Sequence, residues 1–268
     1  MALVRPGHNR VMDPTPIVSR LRAAGCVFAE DEARLLIEAA GSPEELDELV
    51  ARRESGFPLE HILGWAEFAG LRIMVGAGVF VPRHRTEFLA ERAIALSAEL
   101  MHPVLLDLCC GAGAIAAAFI AARPDTEVYA ADIDAAAVAS ARRNLPPTAV
   151  VVEGDLFQPL PTLLRGRVDI LVCNTPYVPT GAIETMPPEA RLHEARLALD
   201  GGSDGLEVQR RVAAEASDWL SPGGHLLVEA SEAQAPLSAA IFESHGLRAR
   251  VEASDEHDAT IVIATRPR

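Results

Sequence analysis

The chain contains no lysine; all twenty-four of its basic residues are arginine. This absence removes Schiff-base and pyridoxal-phosphate chemistry, the phosphate-binding lysine of the P-loop and the kinase lysine. Codon preference in a GC-rich genome is the plainest reading, and the exclusions hold whatever the cause. Cysteine is scarce: Cys26, Cys109, Cys110 and Cys173 are too few for a disulfide scaffold and lack zinc-ligand spacing. The eight histidines form no HExxH or paired-helix motif, so no metal centre is expected. The longest apolar stretch, Ala112 to Ala122, is short and contains glycine, and no secretory segment stands at the start. The expected location is cytoplasmic, with no membrane partner. Positive charge is in deficit: 24 basic residues face 38 acidic ones, a net charge of −14. Binding to nucleic acid chiefly by phosphate neutralisation needs a basic face, so no stable nucleic-acid partner is expected.

What is present is apolar content sufficient for a large core, 49% of 268 residues. Asp31 to Ala40 has apolar residues at helical spacing, and Ser42-Pro43-Glu44-Glu45 offers an N-cap, a first-turn proline and a capping-box glutamate for a helix reaching Arg53. With a helix over Pro16 to Ala24, residues 1–57 read as a small helical N-terminal domain. Leu71, Ile73 and Val75 alternate with Arg72 and Met74, Gly76 and Gly78 punctuate, and Val79-Phe80-Val81 follows, which is a hairpin signal. A helix from Thr86, its expected cap, to Leu100 completes a connector over 58–101, in which Trp65 and Phe68 are expected to pack against the helical domain. Residues 102–268 alternate short apolar strands with helices: strands at 104–108, 128–131, 150–152, 168–173, 225–229, 247–251 and 260–264. Repeated β–α units predict an α/β fold with a mostly parallel sheet covered on both faces. Ligands of such sheets bind beyond the carboxyl ends of the strands.

The strand ends carry the chemistry. After the first comes Asp107-Leu108-Cys109-Cys110-Gly111-Ala112-Gly113, where Gly111 and Gly113 let the backbone approach a ligand at a helix N-terminus; tight strand–helix packing is the alternative. Asp132 ends the next strand, nineteen residues beyond Gly113, where a carboxylate can accept both hydroxyls of a ribose. Asp107 would repel a pyrophosphate but suits the cationic amino-acid end of S-adenosylmethionine (AdoMet), unless it merely caps the turn. Gly154-Asp155-Leu156 offers an acceptor for an adenine amino group and an apolar lid, or is an ordinary acidic loop. Asn174-Thr175-Pro176-Tyr177 follows the fourth strand. The Asn174 side-chain oxygen and the residue 175 carbonyl can each accept one N–H of a planar nitrogen group, with Tyr177 on its face. As a bare tetrapeptide it could be a simple turn. Cys109, Cys110 and Cys173 read as small fillers, and His193-Glu194 as loop residues belonging to no triad.

These residues resemble the protein-(glutamine-N5) methyltransferases, the HemK/PrmC-like group that includes release-factor methyltransferases. The resemblance runs from Pro58 to Glu229 through Pro58-Leu59-Glu60-His61-Ile62-Leu63-Gly64, Val81-Pro82-Arg83 with Thr86-Glu87, the glycine turn, Asp132, Asn174 to Tyr177, and Arg191 to Leu206. It implies a class I AdoMet-dependent methyltransferase fold, Rossmann-like, behind a small helical domain. It implies an AdoMet site (product S-adenosyl-L-homocysteine) lined by Cys109 to Gly113, Asp132 and Leu156, with Asn174 to Tyr177 binding the glutamine of a protein substrate such as a release factor. Two departures bear on substrate choice. The family's Asn-Pro-Pro-Tyr is here Asn-Thr-Pro-Tyr, and its Pro-Arg-Pro-x-Thr-Glu is Pro-Arg-His-Arg-Thr-Glu, changed at His84 and Thr175. The rival expectations are N-methylation of a nucleic-acid base and a non-catalytic AdoMet-binding protein.

Overall fold

The helical periodicity of the N-terminal segment becomes α1 (Thr15–Ala23), α2 (Ala29–Ala39), α3 (Pro43–Glu54) and the short α4 (Leu59–Leu63), in a computed structural model that describes residues 13–268. The first twelve residues of the expected helical domain lie outside the described residues. Ser42 Oγ accepts from the Glu45 N–H at 3.2 Å, and Glu45 Oε2 accepts from the Gly41 N–H at 2.7 Å. The capping box therefore forms, with its return bond one residue early. Leu21, Leu36, Val50 and Ile62 fill the core of this unit. Beside them Arg53 Nε meets Glu32 Oε2 at 2.6 Å in a buried ion pair.

The chain forms two compact units that divide between Leu63 and Gly64. The structure thus groups residues 58–101 differently from the expected connector. Helix α4 buries Ile62 with the first unit, whereas the residues from Trp65 onward join the second. There β1 (Trp65–Phe68) pairs antiparallel with β2 (Leu71–Met74) around Ala69 and Gly70, both at positive φ, as a tight hairpin turn requires. One arm is the expected one, since Leu71–Met74 is β2, but its partner is Trp65–Phe68 and not residues 79–81. Residues 79–81 form no strand, because Val79 and Val81 turn into the core and the Gly78 backbone bridges to Glu194 instead. Phe68, expected against the helical domain, is fully buried in the second unit's own core. Asn144 clamps the hairpin, accepting from Met74 N–H at 2.8 Å and donating to its carbonyl at 2.9 Å. Helix α5 (Thr86–Leu96) ends earlier than expected, and Arg85 rather than Thr86 occupies its N-cap position.

The remaining elements are β3 (Val104–Leu108), α6 (Ala114–Ala122), β4 (Glu127–Asp132), α7 (Ala135–Asn144), β5 (Val150–Glu153), β6 (Val168–Cys173), α8 (Pro188–His193), α9 (Glu207–Trp219), β7 (Leu220–Ala230), α10 (Ala235–Ser244), β8 (Arg248–Ser254) and β9 (Ala259–Thr265). They build a seven-stranded sheet in the order β5-β4-β3-β6-β7-β9-β8, parallel except that β9 runs against its neighbours. Strand alternation divides the core: Leu105, Ile170 and Leu227 face one layer with α5, α6 and α7, while Leu106, Leu171 and Leu226 face α9 and α10. From β3 the chain moves outward to β4 and β5, then returns to β6 on the other side of β3. That reversal opens a crevice at the carboxyl ends of β3 and β6. Among the described residues no helix is long and apolar enough to cross a membrane.

Candidate active site

The turn after β3 is held from below. Gly111 donates its N–H to Asp132 Oδ2 at 2.8 Å, and Asp134 N–H donates to Asp132 Oδ1 at 2.9 Å, so one carboxylate ties the ends of β3 and β4 together. Burial raises the Asp132 carboxyl above its ordinary range, and the two backbone N–H groups offset part of that rise. A carboxylate has about four acceptor positions, so this one keeps capacity for a further partner. Gly113 opens α6 at φ +76°, where an added Cβ would lie 3.2 Å from that of Ala141. Cys109 adopts φ +53°, a left-handed conformation that sequence inspection did not find because its residue type gives no sign of it.

Asp107 stands behind this turn. It is 1% exposed, its Oδ2 accepts from the Ala116 N–H at 3.3 Å, and its Oδ1 has no partner. Burial, with Asp132 nearby, holds its carboxyl up to about 8. A raised folded-state value means that the native protein retains a proton which the unfolded chain releases near pH 4. Stability from this group is therefore lost as pH rises from about 4 towards 8. Asp107→Asn is expected to flatten that slope and raise the melting temperature at pH 8 more than at pH 5. Calorimetric melts across this range check it, and equal gains at both pH values would refute it.

On the far side of the crevice, Asp155 Oδ2 pairs with Arg211 of α9 at 2.5 Å, and Leu156 sits at φ +49°, nearly buried. Asn174 to Tyr177 leave the end of β6. Thr175 is 2% exposed, and its hydroxyl has no partner. Three residues missed in the sequence gather around this loop. Glu229, at the end of β7 and 2% exposed, accepts from Arg85 Nε at 2.9 Å, Thr86 Oγ1 at 2.6 Å and Tyr177 OH at 2.9 Å. Arg85 Nη2 also donates to Tyr177 OH at 2.6 Å, and Asn174 Nδ2 donates to Thr86 Oγ1 at 3.3 Å. Burial and the Glu229 charge push the Tyr177 phenol up, which keeps it protonated. The available signal was an acid closing an apolar strand, as Asp132 does; Thr86 had been read as a helix cap and as part of the family motif, with no role in the site.

Residues 194–205 brace the loop from outside. Val178 N–H donates to the Leu199 carbonyl at 3.1 Å, and Gly201 N–H to the Val178 carbonyl at 2.9 Å. Glu194, read as an ordinary loop residue, is buried and ion-paired to Arg83. One pocket has Cys109, Cys110, Ala112, Asp132, Asp155, Leu156 and all of Asn174 to Tyr177 on its wall. Asp107, Gly111 and Gly113 lie outside that lining and shape the turn from behind. The buried thiols of Cys110 and Cys173 are pushed up by burial, which disfavours the thiolate that nucleophilic chemistry would use.

The Methyltransferase small domain family matches residues 77–205. The release factor glutamine methyltransferase of Mycolicibacterium smegmatis is 38% identical over 94% of this chain and 91% of its own. The 4-amino-L-phenylalanine/4-methylamino-L-phenylalanine methyltransferase of Streptomyces pristinaespiralis is 37% identical over 90% of this chain and 84% of its own. The ribosomal protein L11 methylase of Lactobacillus delbrueckii subsp. bulgaricus shares the fold, with a TM-score of 0.51 at 14% identity over 73% of this chain and 86% of that one.

Proposed function

The chain belongs to the release factor glutamine methyltransferase family, and from that membership we propose an AdoMet-dependent protein-(glutamine-N5) methyltransferase acting on a peptide chain release factor. The observation that carries this reading is the Asn174–Tyr177 loop, placed on the wall of the same pocket as Asp132 and the turn after β3. The residues present fit AdoMet. Asp132 has acceptor positions left for ribose hydroxyls, Asp155 keeps one oxygen for an adenine amino group, and Leu156 supplies an apolar surface for the ring. Asp107, expected to face the cationic end of AdoMet, instead lies buried behind the turn and outside the pocket wall, its carboxyl held up to about 8, so no cofactor contact is assigned to it. Bound AdoMet supplies a methyl group on a sulfonium and leaves as S-adenosyl-L-homocysteine.

The work of the protein is to position the acceptor. Asn174 Oδ1 and the Thr175 carbonyl accept the two hydrogens of the glutamine amide, and the Tyr177 ring covers its plane. Held at both hydrogens, the nitrogen aims its lone pair along the line of transfer. Those bonds strengthen as nitrogen loses conjugation with its carbonyl, so they stabilise the transition state more than the ground state. No strong base is needed, because the alkylated amide loses its proton readily.

A second reading, a small aromatic amine as acceptor, is favoured by one observation: the Streptomyces pristinaespiralis relative is nearly as similar as the release-factor one, 37% against 38% identical. Transfer of labelled methyl from AdoMet is to be compared on a release factor, 4-amino-L-phenylalanine, total protein and nucleic acid, with mass spectrometry of the product. Methylglutamine in the release factor is the expected result; label only in the amine or the nucleic acid would overturn the proposal.

The cofactor assignment gives its own expectation. Asp132→Ala should weaken AdoMet binding by about 1–3 kcal/mol, the usual cost of leaving paired polar groups unsatisfied. NAD should show no binding to the wild-type protein. Titration calorimetry reads both, and unchanged AdoMet affinity in the variant would count against the ribose role.

A further inference from the structure

We propose that Glu229 and Thr86 form a positioning relay that fixes which atom of the Asn174 amide faces the substrate, restricting the acceptor to an NH2 group. This rests on the function proposed above and adds two residues to it. An ionised carboxylate only accepts hydrogen bonds. Glu229 therefore receives the single hydroxyl hydrogen of Thr86, at 2.6 Å. With that hydrogen spent, Thr86 Oγ1 can only accept from its other neighbour. The Asn174 atom 3.3 Å away must then be the nitrogen Nδ2, which turns the oxygen Oδ1 to the opposite side of the amide. Side-chain amides are otherwise free to present either end, and nothing within residues 174–177 makes the choice.

The same carboxylate orients the other half of the loop. Arg85 donates to Tyr177 OH, and that hydroxyl passes its own hydrogen to Glu229. Both chains of donors end on Glu229 Oε1 and Oε2. Glu229 and Thr86 are each less than 5% exposed, so solvent cannot take over either role. Two inward acceptors, Asn174 Oδ1 and the Thr175 carbonyl, match a group with two N–H bonds. They repel a carboxylate, so the site distinguishes glutamine from glutamate by the direction of a hydrogen-bond chain that ends on Glu229, 2% exposed at the end of β7.

Glu229→Gln supplies the reversing test. Its amide can donate to Thr86, releasing the hydroxyl hydrogen to Asn174 Oδ1 and turning Nδ2 towards the pocket. Neutron diffraction from deuterium-exchanged protein, wild type and variant, locates the deuterons on Thr86 and Asn174. In parallel, kcat and KM are measured with labelled AdoMet and a release factor for wild type, Thr86→Val, Thr86→Ser and Glu229→Gln. The expected result is Nδ2 against Thr86 in the wild type. Kinetically, Thr86→Val and Glu229→Gln should lose about 10²-fold in kcat with AdoMet affinity kept, while Thr86→Ser restores turnover to near wild type. A release factor whose target glutamine is replaced by glutamate should compete better against Glu229→Gln than against wild type. Wild-type deuterons on the wrong side, or full turnover in Thr86→Val, overturns the relay. If the wild type transfers no methyl to a release factor, the parent reading fails, and the deuteron positions still decide the relay by themselves.

Discussion

Asn174→Ala is expected to lower turnover by roughly 10²–10³ while AdoMet affinity stays near wild type. The asymmetry follows from geometry. Asn174 is joined to Thr86 and through it to Glu229, whereas Asp132 is bonded to the turn after β3. On the proposed mechanism, removing Asn174 takes away one of the two acceptors for the attacking nitrogen, and a misoriented lone pair costs rate rather than cofactor binding. Tyr177→Ala should instead raise KM for the protein substrate, because the lost ring is a surface for the amide plane. Thr175→Pro should be tolerated: it keeps the carbonyl and removes a buried hydroxyl that has no partner. Single-turnover kinetics with AdoMet and a release factor separate these effects. Near-normal turnover in Asn174→Ala would mean that the reacting nitrogen is held elsewhere.

Where the sequence was readable, local chemistry had set the structure. The strands from Val104 to Cys173 fall within a residue or two of their expected ends, because short apolar runs bounded by glycine, proline and acids admit few alternatives. Asp132 and Asn174 were visible because Asp132 closes β4 and Asn174 directly follows β6, at the carboxyl ends of the strands where ligands of such sheets bind. The second arm of the hairpin was misplaced because Val79 and Val81 look like strand residues, yet they are buried by packing and not by pairing. Glu229, Arg85 and Thr86 escaped notice because their meaning is tertiary. They are up to 144 residues apart and converge only when the first turn of α5 reaches the end of β7. Thr86 was read as a helix cap, a role that its type permits and its neighbours overrule. Cys109 was read as a filler although its backbone is left-handed, a property of the turn and not of the residue.

The segment from Arg191 to Leu206 carried much of the resemblance without any evident chemistry, and Gly205→Ala should reveal its role. Gly205 adopts φ +79°, and an added Cβ would stand 2.2 Å from the Tyr177 carbonyl oxygen and 2.3 Å from Gln234 Nε2. Gln234 Nε2 donates to the Tyr177 carbonyl at 2.9 Å and to that of Asp204 at 3.0 Å, so the methyl would enter the joint that fastens the loop. Overpacking of this kind costs about 1–3 kcal/mol, and the left-handed backbone adds about 1–2 kcal/mol for a residue with a Cβ. Because the displaced atom belongs to Tyr177, turnover should fall by about 10²-fold or more alongside the loss of stability. Gly246→Ala separates the two causes: it has φ +83° but nothing within 4 Å of the added Cβ, so it meets the backbone cost without the collision. Urea unfolding should show both variants destabilised, Gly205→Ala more so, and methyl-transfer assays should find Gly246→Ala active. If Gly205→Ala is equally active, residues 201–205 do not set the position of the Asn174–Tyr177 loop.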